Sequence, residues 1–301
     1  MSRSSWVRLS VVSFASSARA RAASSGNGRL AVICVAGRAW RSYLVAVSVA
    51  GPADSYFVCG TPRTGSSLLL GLLESTGVAG RPQAYFREPD EPLWAERWQV
   101  PRSADGGLDY VDYLRAALAA GRTGNGVFGA KLMWGTLDEL VAKLGRVFPD
   151  LAEDDAGLLG RAFGRTGFVF LRRADIVAQA VSWLRAEQTG AWYIGGVGEI
   201  GGSAGTGGPP SFDAGRIGQL IQLIGQHNAA WEAWFASAGI RPHRVSYAEL
   251  DADMAGVTLG ILGFLGLDVP DERVIVPRHE RQADELTAQW IERYRLESAR
   301  S

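Results

Sequence analysis

A glycine-rich turn constrains the fold of this chain more than any other feature of its sequence. It lies within residues 56–77, YFVCGTPRTGSSLLLGLLESTG, between an apolar run and a leucine-rich stretch. A strand that ends in such a turn and leads into a helix directs backbone N–H groups and the positive end of the helix dipole at one point. The stretch therefore predicts an α/β protein with an anion site where the first strand ends.

The turn from Gly60 to Ser67 nearly matches the loop G-x-x-x-x-G-K-[ST], which holds the phosphates of nucleoside triphosphates. Ser66 replaces the lysine, which in triphosphate enzymes reaches the β- and γ-phosphates while a hydroxyl residue binds magnesium. Arg63 supplies a charge that does not titrate. Four hydroxyl groups could add donors, those of Thr61, Thr64, Ser66 and Ser67. The loop suits a 5′-phosphate-type group without a metal; the alternative is a tight turn shaped only by its glycines and Pro62.

A second stretch, FVFLRRADIVAQAVSW, places Arg173 at the end of a predicted strand and Ser182 nine residues later in a predicted helix. At about 1.5 Å per residue, the two lie about 13 Å apart along the helix axis. A long arginine and a hydroxyl two turns further on could hold a second phosphate, in a pocket separate from the loop. The alternative is a solvated arginine and an ordinary helix serine.

Apolar runs and stretches of helical periodicity alternate through the rest of the chain. The predicted strands are 56–59, 127–130, 167–171 and 244–247. The predicted helices are 66–75, 109–120, 174–187, 214–238 and 283–296. The glycine-rich stretch 195–210 predicts a mobile surface loop. This alternation predicts a mainly parallel central sheet flanked by helices.

The first part of the chain differs in composition from the rest. Residues 1–53 contain seven arginines and no acid, so acids outnumber bases in the remainder, which argues against nucleic-acid binding. Arg38 and Arg41 interrupt the early apolar block, so no stable membrane insertion is expected. We interpret residues 1–54 as a disordered leader or a start assigned too far upstream, and residues 55–301 as one domain. Two cysteines suit neither a disulfide framework nor a zinc site, so we expect no metal and a cytoplasmic location.

Six segments resemble the bacterial trehalose sulfotransferase family, in the order in which that family carries them. They are TPRTGSS (61–67), TGVAGRPQAYF (76–86), GAKLMW (129–134), RADIVAQAVSWLRAEQT (173–189), WEAWF (231–235) and ERQADELTAQWIERYR (280–295). The loop alone is moderately specific, and the six together are strongly specific. The resemblance implies a P-loop-like sulfotransferase fold. It also implies 3′-phosphoadenosine 5′-phosphosulfate (PAPS) as donor and a carbohydrate, trehalose or a related sugar or glycolipid, as acceptor.

The resemblance also implies roles for individual residues. The residues that match the 5′-phosphosulfate loop are Thr61, Pro62, Arg63, Thr64, Gly65, Ser66 and Ser67. Arg173 and Ser182 match a clamp on the 3′-phosphate, while Arg281 and Gln282 match a C-terminal stretch expected to close over the donor. A homodimer, whose partner chain helps to build the acceptor site, and a part in sulfolipid biosynthesis are implied in the same way.

Sulfuryl transfer resembles phosphoryl transfer, in which positioning and charge stabilisation supply most of the rate. Arg63 is the first candidate to stabilise charge on the bridging and sulfuryl oxygens. Lys131, one of only two lysines in the chain, is a second candidate. The alternative for Lys131 is a strand-end lysine that reaches solvent.

The expected general base is missing. The resembled family carries Gly-x-Pro-Gln-Glu-aromatic-Phe where this chain reads GRPQAYF, so Ala84 stands in place of the glutamate. A methyl group cannot accept a proton. Three explanations stay open: Glu88 serves as the base, water or His227 takes the proton, or the acceptor is not trehalose.

Aromatic and amide side chains near these segments suit a sugar, because sugar rings present apolar faces while their hydroxyl groups need polar partners. The candidates are Gln83, Tyr85, Trp134 and Trp192. Trp231 and Trp234 are assigned to packing. The glycine-rich stretch after Trp192 could cover the acceptor or could be plain disorder.

Two other functions compete with sulfuryl transfer. A nucleotide kinase is suggested by the spacing of the loop glycines, but the absent lysine and the lack of a convincing magnesium-binding aspartate count against it. A donor-nucleotide-binding protein with lost or altered catalysis is favoured by Ala84.

Overall fold

We describe the fold from a computed structural model of the chain. The structure describes residues 52–102, 106–151, 154–192, 207–268, 274–277 and 284–300. Apart from residues 52–54, the predicted leader lies outside this part of the chain, as do Arg281, Gln282 and most of the stretch 195–210. From Ala53 onward, the described residues belong to one compact unit, Ala53–Ser301.

Four parallel strands form the sheet of the described residues, in the order β2-β1-β3-β4. They are β1 Ser55–Gly60, β2 Phe128–Met133, β3 Thr166–Arg172 and β4 His243–Ser246. Each overlaps one predicted strand. In the register of the central strand, Cys59 pairs with Leu132 on one side and with Phe170 on the other. The parallel sheet with flanking helices confirms the predicted α/β fold class.

Ten α-helices flank the sheet in the described ranges. They are α1 Ser66–Ser75, α2 Glu91–Arg97, α3 Tyr110–Gly121, α4 Thr136–Val147, α5 Asp155–Phe163, α6 Ile176–Thr189, α7 Ala214–Ser237, α8 Tyr247–Ala252, α9 Met254–Leu265 and α10 Glu285–Ser298. Short 3-10 turns cover Glu88–Asp90 and Pro149–Leu151. The predicted helices correspond to α1, α3, α6, α7 and α10. Within the part of the chain that the structure covers, no helix has the length and apolar character to span a membrane.

The central strand β1 is held from both faces, because alternate residues of a strand point in opposite directions. Phe57 and Cys59 join an aromatic core that includes Trp231. Tyr56 and Val58 face the other way and pack among leucines of α1 and α9. All six residues of β1 are buried. This packing fixes the end of β1, and therefore the position of the loop that follows it.

All four strands end at the same edge of the sheet because they are parallel. At that edge β1 leads into the loop 61–65, β2 into Trp134, β3 into Arg173 and β4 into α8. The chain moves outward from β1 to β2 and then returns to β3 on the other side of β1. Such a reversal makes this edge a topological switch point, the place where open α/β sheets bind ligands.

Candidate active site

The loop 61–65 turns sharply between β1 and α1, and its ends admit only glycine. Gly65 has a φ of +86°, and a Cβ atom there would lie 2.7 Å from the ring of Tyr247. A Cβ atom on Gly60 would lie 2.8 Å from the carbonyl oxygen of Leu171 on β3. Arg63 also has a positive φ, +68°, which costs a residue with a side chain about 1–3 kcal/mol. Such strain is common where a loop clamps a ligand.

Side chains from two other elements bond to carbonyl groups at the ends of this turn. The indole N–H of Trp231 on α7 donates to the carbonyl oxygen of Gly60 at 3.0 Å. Nη1 of Arg173, just after β3, donates to the carbonyl oxygen of Arg63 at 3.4 Å. Trp231 is fully buried, as expected of a packing residue, yet it also fixes the position of the loop.

The start of α1 differs from the start of most helices in the described residues. Gly65 occupies its cap position, and no side-chain hydrogen bond caps the helix. Seven other helices begin with a side-chain cap, from Asp109, Asp154, Asp175, Asp213, Ser246, Asp253 and Asp284. The positive end of the α1 dipole therefore faces the loop with no carboxylate at its cap position, which favours an external anion.

Arg63 lies at the centre of the site. Its Nε donates to Oγ of Ser182 at 2.9 Å, and its Nη1 donates to the carbonyl oxygen of Trp192. The pKa of Arg63 is lowered to about 10, mainly by burial and then by the cations of Arg173 and Arg185, while Tyr247 opposes the shift. A guanidinium crowded by two others gains strongly when an anion is bound nearby.

Arg173 and Ser182 are brought to the same place as the loop, and Arg63 connects them. Arg173 bonds to the backbone of Arg63 and Ser182 bonds to its side chain. The Arg173 guanidinium also lies over the ring of Tyr247, 4.7 Å from its centroid. The sequence led us to expect two separate pockets. In the structure both residues bond to Arg63, so the two predicted groups are linked through one residue, and their binding of phosphate stays a prediction.

Helix α6 presents a ladder of three polar side chains to this site, at intervals of three residues: Gln179, Ser182 and Arg185. Gln179 is fully buried, and its Nε2 donates at 2.7 Å both to Oγ1 of Thr61 and to the carbonyl oxygen of Pro62. Of these three residues, only Ser182 is among those predicted from the sequence. The spacing of three along a predicted helix was the signal that could have identified the other two.

Arg185 is the third cation near Arg63, and it is held from α10. Its guanidinium bonds to both carboxylate oxygens of Asp284, with an Nη2 to Oδ2 distance of 2.8 Å, and also donates to Oγ1 of Thr287. These bonds, above all the one from Arg185, hold the pKa of Asp284 well below its usual range. The bond between Arg185 and Asp284 therefore ties the start of α10 to α6.

On the other side of β1, the segment that carries Ala84 runs beside β2. Gln83 forms a parallel bridge with Ala130, and its carbonyl oxygen accepts from the backbone N–H of Lys131 at 2.9 Å. Lys131 is partly buried on β2, opposite Val58 of β1. Trp134, at the end of β2, meets Trp231 edge to face at 5.1 Å between ring centroids.

Tyr85 and Glu88 lie in surroundings of another kind. Tyr85 is 2% exposed and belongs to the aromatic core, where its hydroxyl donates to the carbonyl oxygen of Arg81. The carboxylate of Glu88 lies 3.6 Å from Nζ of Lys143, which in turn pairs with the buried Glu91 at 2.7 Å. Lys143 is about 10 Å along α4 from the sheet edge. The structure thus places Tyr85 and Glu88 against the core and α4, while Trp192 and Arg63 meet at the loop.

His227, the other candidate base, lies partly buried on α7, one turn before Trp231. Burial lowers its pKa, so the imidazole is neutral at neutral pH and able to accept a proton.

The fold and the loop together define a P-loop-like α/β protein with three arginines, Arg63, Arg173 and Arg185, gathered at its strand ends. A family model for Stf0 sulphotransferases matches residues 55–297. The chain belongs to this family and is therefore an enzyme of the sulfotransferase class, which confirms the resemblance found in the sequence.

Two relatives carry the description trehalose 2-sulfotransferase. The one from Mycobacterium tuberculosis is 31% identical over 81% of this chain and 96% of its own length. The one from Mycolicibacterium smegmatis is 31% identical over 82% of this chain and 96% of its own length.

Similarity to solved structures is remote. A sulfotransferase from Alicyclobacillus acidocaldarius has a TM-score of 0.39 at 14% identity, over 84% of this chain and 94% of its own. The sulfotransferase domain of the Synechococcus PCC 7002 olefin synthase has a TM-score of 0.39 at 13% identity, over 82% of this chain and 97% of its own.

Proposed function

We propose that this enzyme transfers a sulfuryl group from PAPS to a hydroxyl group of a carbohydrate, with trehalose or a related sugar or glycolipid as acceptor. The observation that carries the proposal is the crowding of Arg63, Arg173 and Arg185 around a loop whose helix has no side-chain cap. Family membership and the two trehalose 2-sulfotransferase relatives support the reaction and the acceptor class.

The site fits a nucleotide with charge at both ends. The loop from Thr61 to Ser67, together with the start of α1, would hold the 5′ end. Arg173 and Ser182 would hold the 3′-phosphate. Arg63 bonds to Ser182 through its side chain and to Arg173 through its backbone. One residue of the loop would therefore interact with the groups at both ends of the donor. Arg281 and Gln282 lie outside the described residues, and their contact with the donor stays a prediction.

The donor supplies an activated sulfuryl group on a phosphate leaving group. The chain supplies donors directed at the oxygens where negative charge grows. Arg63 stays protonated at neutral pH even with its lowered pKa, so it can stabilise the departing phosphate oxygen. Lys131, on the face of the sheet that α1 covers, is the proposed second cation. Preorganised cations of this kind cost no rearrangement at the moment of transfer.

Removal of the acceptor proton has three candidate routes in this chain. Glu88 is the base that the sequence predicts, although its carboxylate lies near Lys143. His227 is neutral and lies partly buried on α7. Water can take the proton where position 84 carries a methyl group. We propose that the acceptor lies near Gln83, Trp134 and Trp192. Tyr85, which packs in the aromatic core, would support this acceptor site indirectly.

The enzyme is further proposed to act in the cytoplasm as a homodimer and to take part in sulfolipid synthesis, as the resemblance implies. A second function, a donor-binding protein without transfer, is favoured by one observation, the alanine at position 84.

One experiment separates these functions. The full-length protein is heated with 3′,5′-bisphosphoadenosine or with ATP and magnesium, and is then incubated with PAPS and a panel of sugars that are analysed by mass. We expect the bisphosphate, and not ATP, to raise the melting temperature, and trehalose to gain one sulfate. Stabilisation without transfer to any sugar would support the binding protein. No stabilisation by the bisphosphate would show that the proposed donor is wrong.

A further inference from the structure

We propose that Gln179 is a positioning residue that makes the hydroxyl of Thr61 a hydrogen-bond donor to the 5′ end of the nucleotide. The inference rests on the donor proposed above. It concerns a residue that the loop motif does not contain, and it follows from which groups in the site can donate and which can only accept.

The orientation of the Gln179 amide is fixed by Pro62. A backbone carbonyl oxygen can only accept, so the side-chain atom 2.7 Å from the Pro62 oxygen must be the nitrogen, Nε2. A flipped amide would place two oxygens against each other. Oε1 of Gln179 is buried and has no partner among the described residues, so no other contact favours the flipped form.

This orientation determines the role of Thr61. The amide nitrogen carries two hydrogens, and the second is donated to Oγ1 of Thr61 at 2.7 Å. Oγ1 therefore accepts, and its own hydrogen must point away from Gln179. Thr61 is fully buried, and in the described part of the chain no side chain or carbonyl accepts this hydrogen. An anion in the loop would supply the missing acceptor.

The same logic applies one helical turn further on. Nε of Arg63 can only donate, so Oγ of Ser182 accepts its hydrogen at 2.9 Å. The hydrogen of the Ser182 hydroxyl is therefore free to be donated to a ligand. A hydroxyl group can donate or accept a hydrogen bond. Gln179 on α6 and Arg63 in the loop each donate to one of these two hydroxyl groups, so both hydroxyl hydrogens are left to be donated to the ligand. Phosphate and sulfuryl oxygens carry only acceptor sites, so the setting matches the ligand.

The test is a double-mutant cycle on affinity in the full-length protein. Gln179→Met keeps the length of the side chain and removes both N–H groups, and Thr61→Val removes the hydroxyl. We expect each change to weaken binding of 3′,5′-bisphosphoadenosine about tenfold, as for one bond to a charged group, and the double variant to be no weaker than either. In a Thr61→Ser background, which keeps the hydroxyl, Gln179→Met should again cost about tenfold.

Gln188 offers a matched control on the same helix. Its amide makes two hydrogen bonds, both to the backbone of Ser211 and neither to the loop. Gln188→Met should leave the affinity unchanged. The melting temperature without ligand, recorded for every variant, separates loss of fold from loss of the oriented hydroxyl.

Two results would overturn the proposal: an unchanged affinity in Gln179→Met, or an equal loss in the Thr61→Ser and Thr61→Val backgrounds. If Gln179→Met does not fold, Gln179→Glu keeps the volume and draws the Thr61 hydrogen toward its carboxylate, so it should bind at least tenfold more weakly. Wild-type affinity for the bisphosphate tests the proposed donor separately, because it does not depend on these variants.

Discussion

Two groups of charged side chains in this protein are built in opposite ways. At the sheet edge, Arg63 lies close enough to Arg173 and Arg185 for their charges to lower its pKa. On α4, Lys143 is buried against a carboxylate, Glu91 of α2, at 2.7 Å. Burial raises the pKa of Glu91, and the bond from Lys143 opposes that shift. The first group gathers like charges, while the second pairs opposite ones.

The difference shows which group serves the fold and which serves a ligand. A buried ion pair is complete in itself, and breaking it leaves an isolated charge in the interior. At the sheet edge the charges of Arg173 and Arg185 oppose that of Arg63, and an anion bound there would relieve this repulsion. Charge removal should therefore affect stability beside α4 and function at the sheet edge.

Arg63→Met should give the largest effect. We expect kcat/KM for sulfate transfer to fall about 1000-fold, because a preorganised cation acting on growing charge is lost. The free energy of unfolding without ligand should change by less than about 1 kcal/mol, since removal relieves repulsion from Arg173 and Arg185. Steady-state kinetics and urea titration measure the two quantities. Activity within tenfold of wild type would contradict the assignment.

Lys143→Met should produce the reverse pattern. Glu91 is 4% exposed, so its charge would be left buried and the protein should lose about 3 kcal/mol of unfolding free energy. Activity per folded molecule should stay close to wild type. Replacing both partners, Lys143→Met with Glu91→Met, should recover most of the stability in the same urea titration. A severe loss of turnover in the folded single variant would place this pair in the active site.

Donor affinity should depend on pH through Arg63. Its pKa is lowered to about 10 in the folded protein, so the ligand-free protein bears the cost of a buried cation below about pH 10 and is relieved of that cost as the pH rises above it. Anion binding needs the cation and is lost as pH rises through that value. We expect the affinity for 3′,5′-bisphosphoadenosine to fall about tenfold from about pH 8 to about pH 11. Calorimetric titration at each pH measures this affinity. Arg63→Met should remove the dependence of the affinity on pH.

Glu88→Gln should give the smallest effect. It decides whether Glu88 belongs with the charged pair Lys143–Glu91 or with the active site. Its side chain is 61% exposed and 3.6 Å from Lys143, so we expect less than about 1 kcal/mol in stability and less than about threefold in turnover. A base that takes the acceptor proton contributes about 100-fold or more. A fall of that size would return Glu88 to the mechanism.

Much of the fold could be read from the sequence, because its signals are local. The apolar runs predicted all four strands, and α6 and α7 were predicted to within two residues at each end. α9 was not predicted, since Gly256, Gly260 and Gly263 weaken its helical signal. α2 and α8 have seven and six residues, too few to show periodicity. α4 carries a regular apolar pattern and could have been named.

The site was only partly readable. The loop, Arg173 and Ser182 carry motif-level signals, and the structure brings them together. Gln179 and Arg185 belong to no motif, and only their spacing of three residues from Ser182 on a predicted helix connects them to the site. Their roles depend on α6 lying against the loop, which is a long-range contact. Tyr85 lies in a motif but packs in the core, and no short-range pattern distinguishes those two uses. The roles assigned to these residues in catalysis and binding stay predictions.

The contact between Gly65 and Tyr247 also constrains how this sequence can drift over generations. The ring that lies over Gly65 is the one on which Arg173 rests, so three positions far apart in the chain share one small volume. A substitution at any one of these three positions would be tolerated only if the residues at the other two changed with it. We therefore expect libraries of random variants, selected only for nucleotide retention, to recover this trio as a covarying unit.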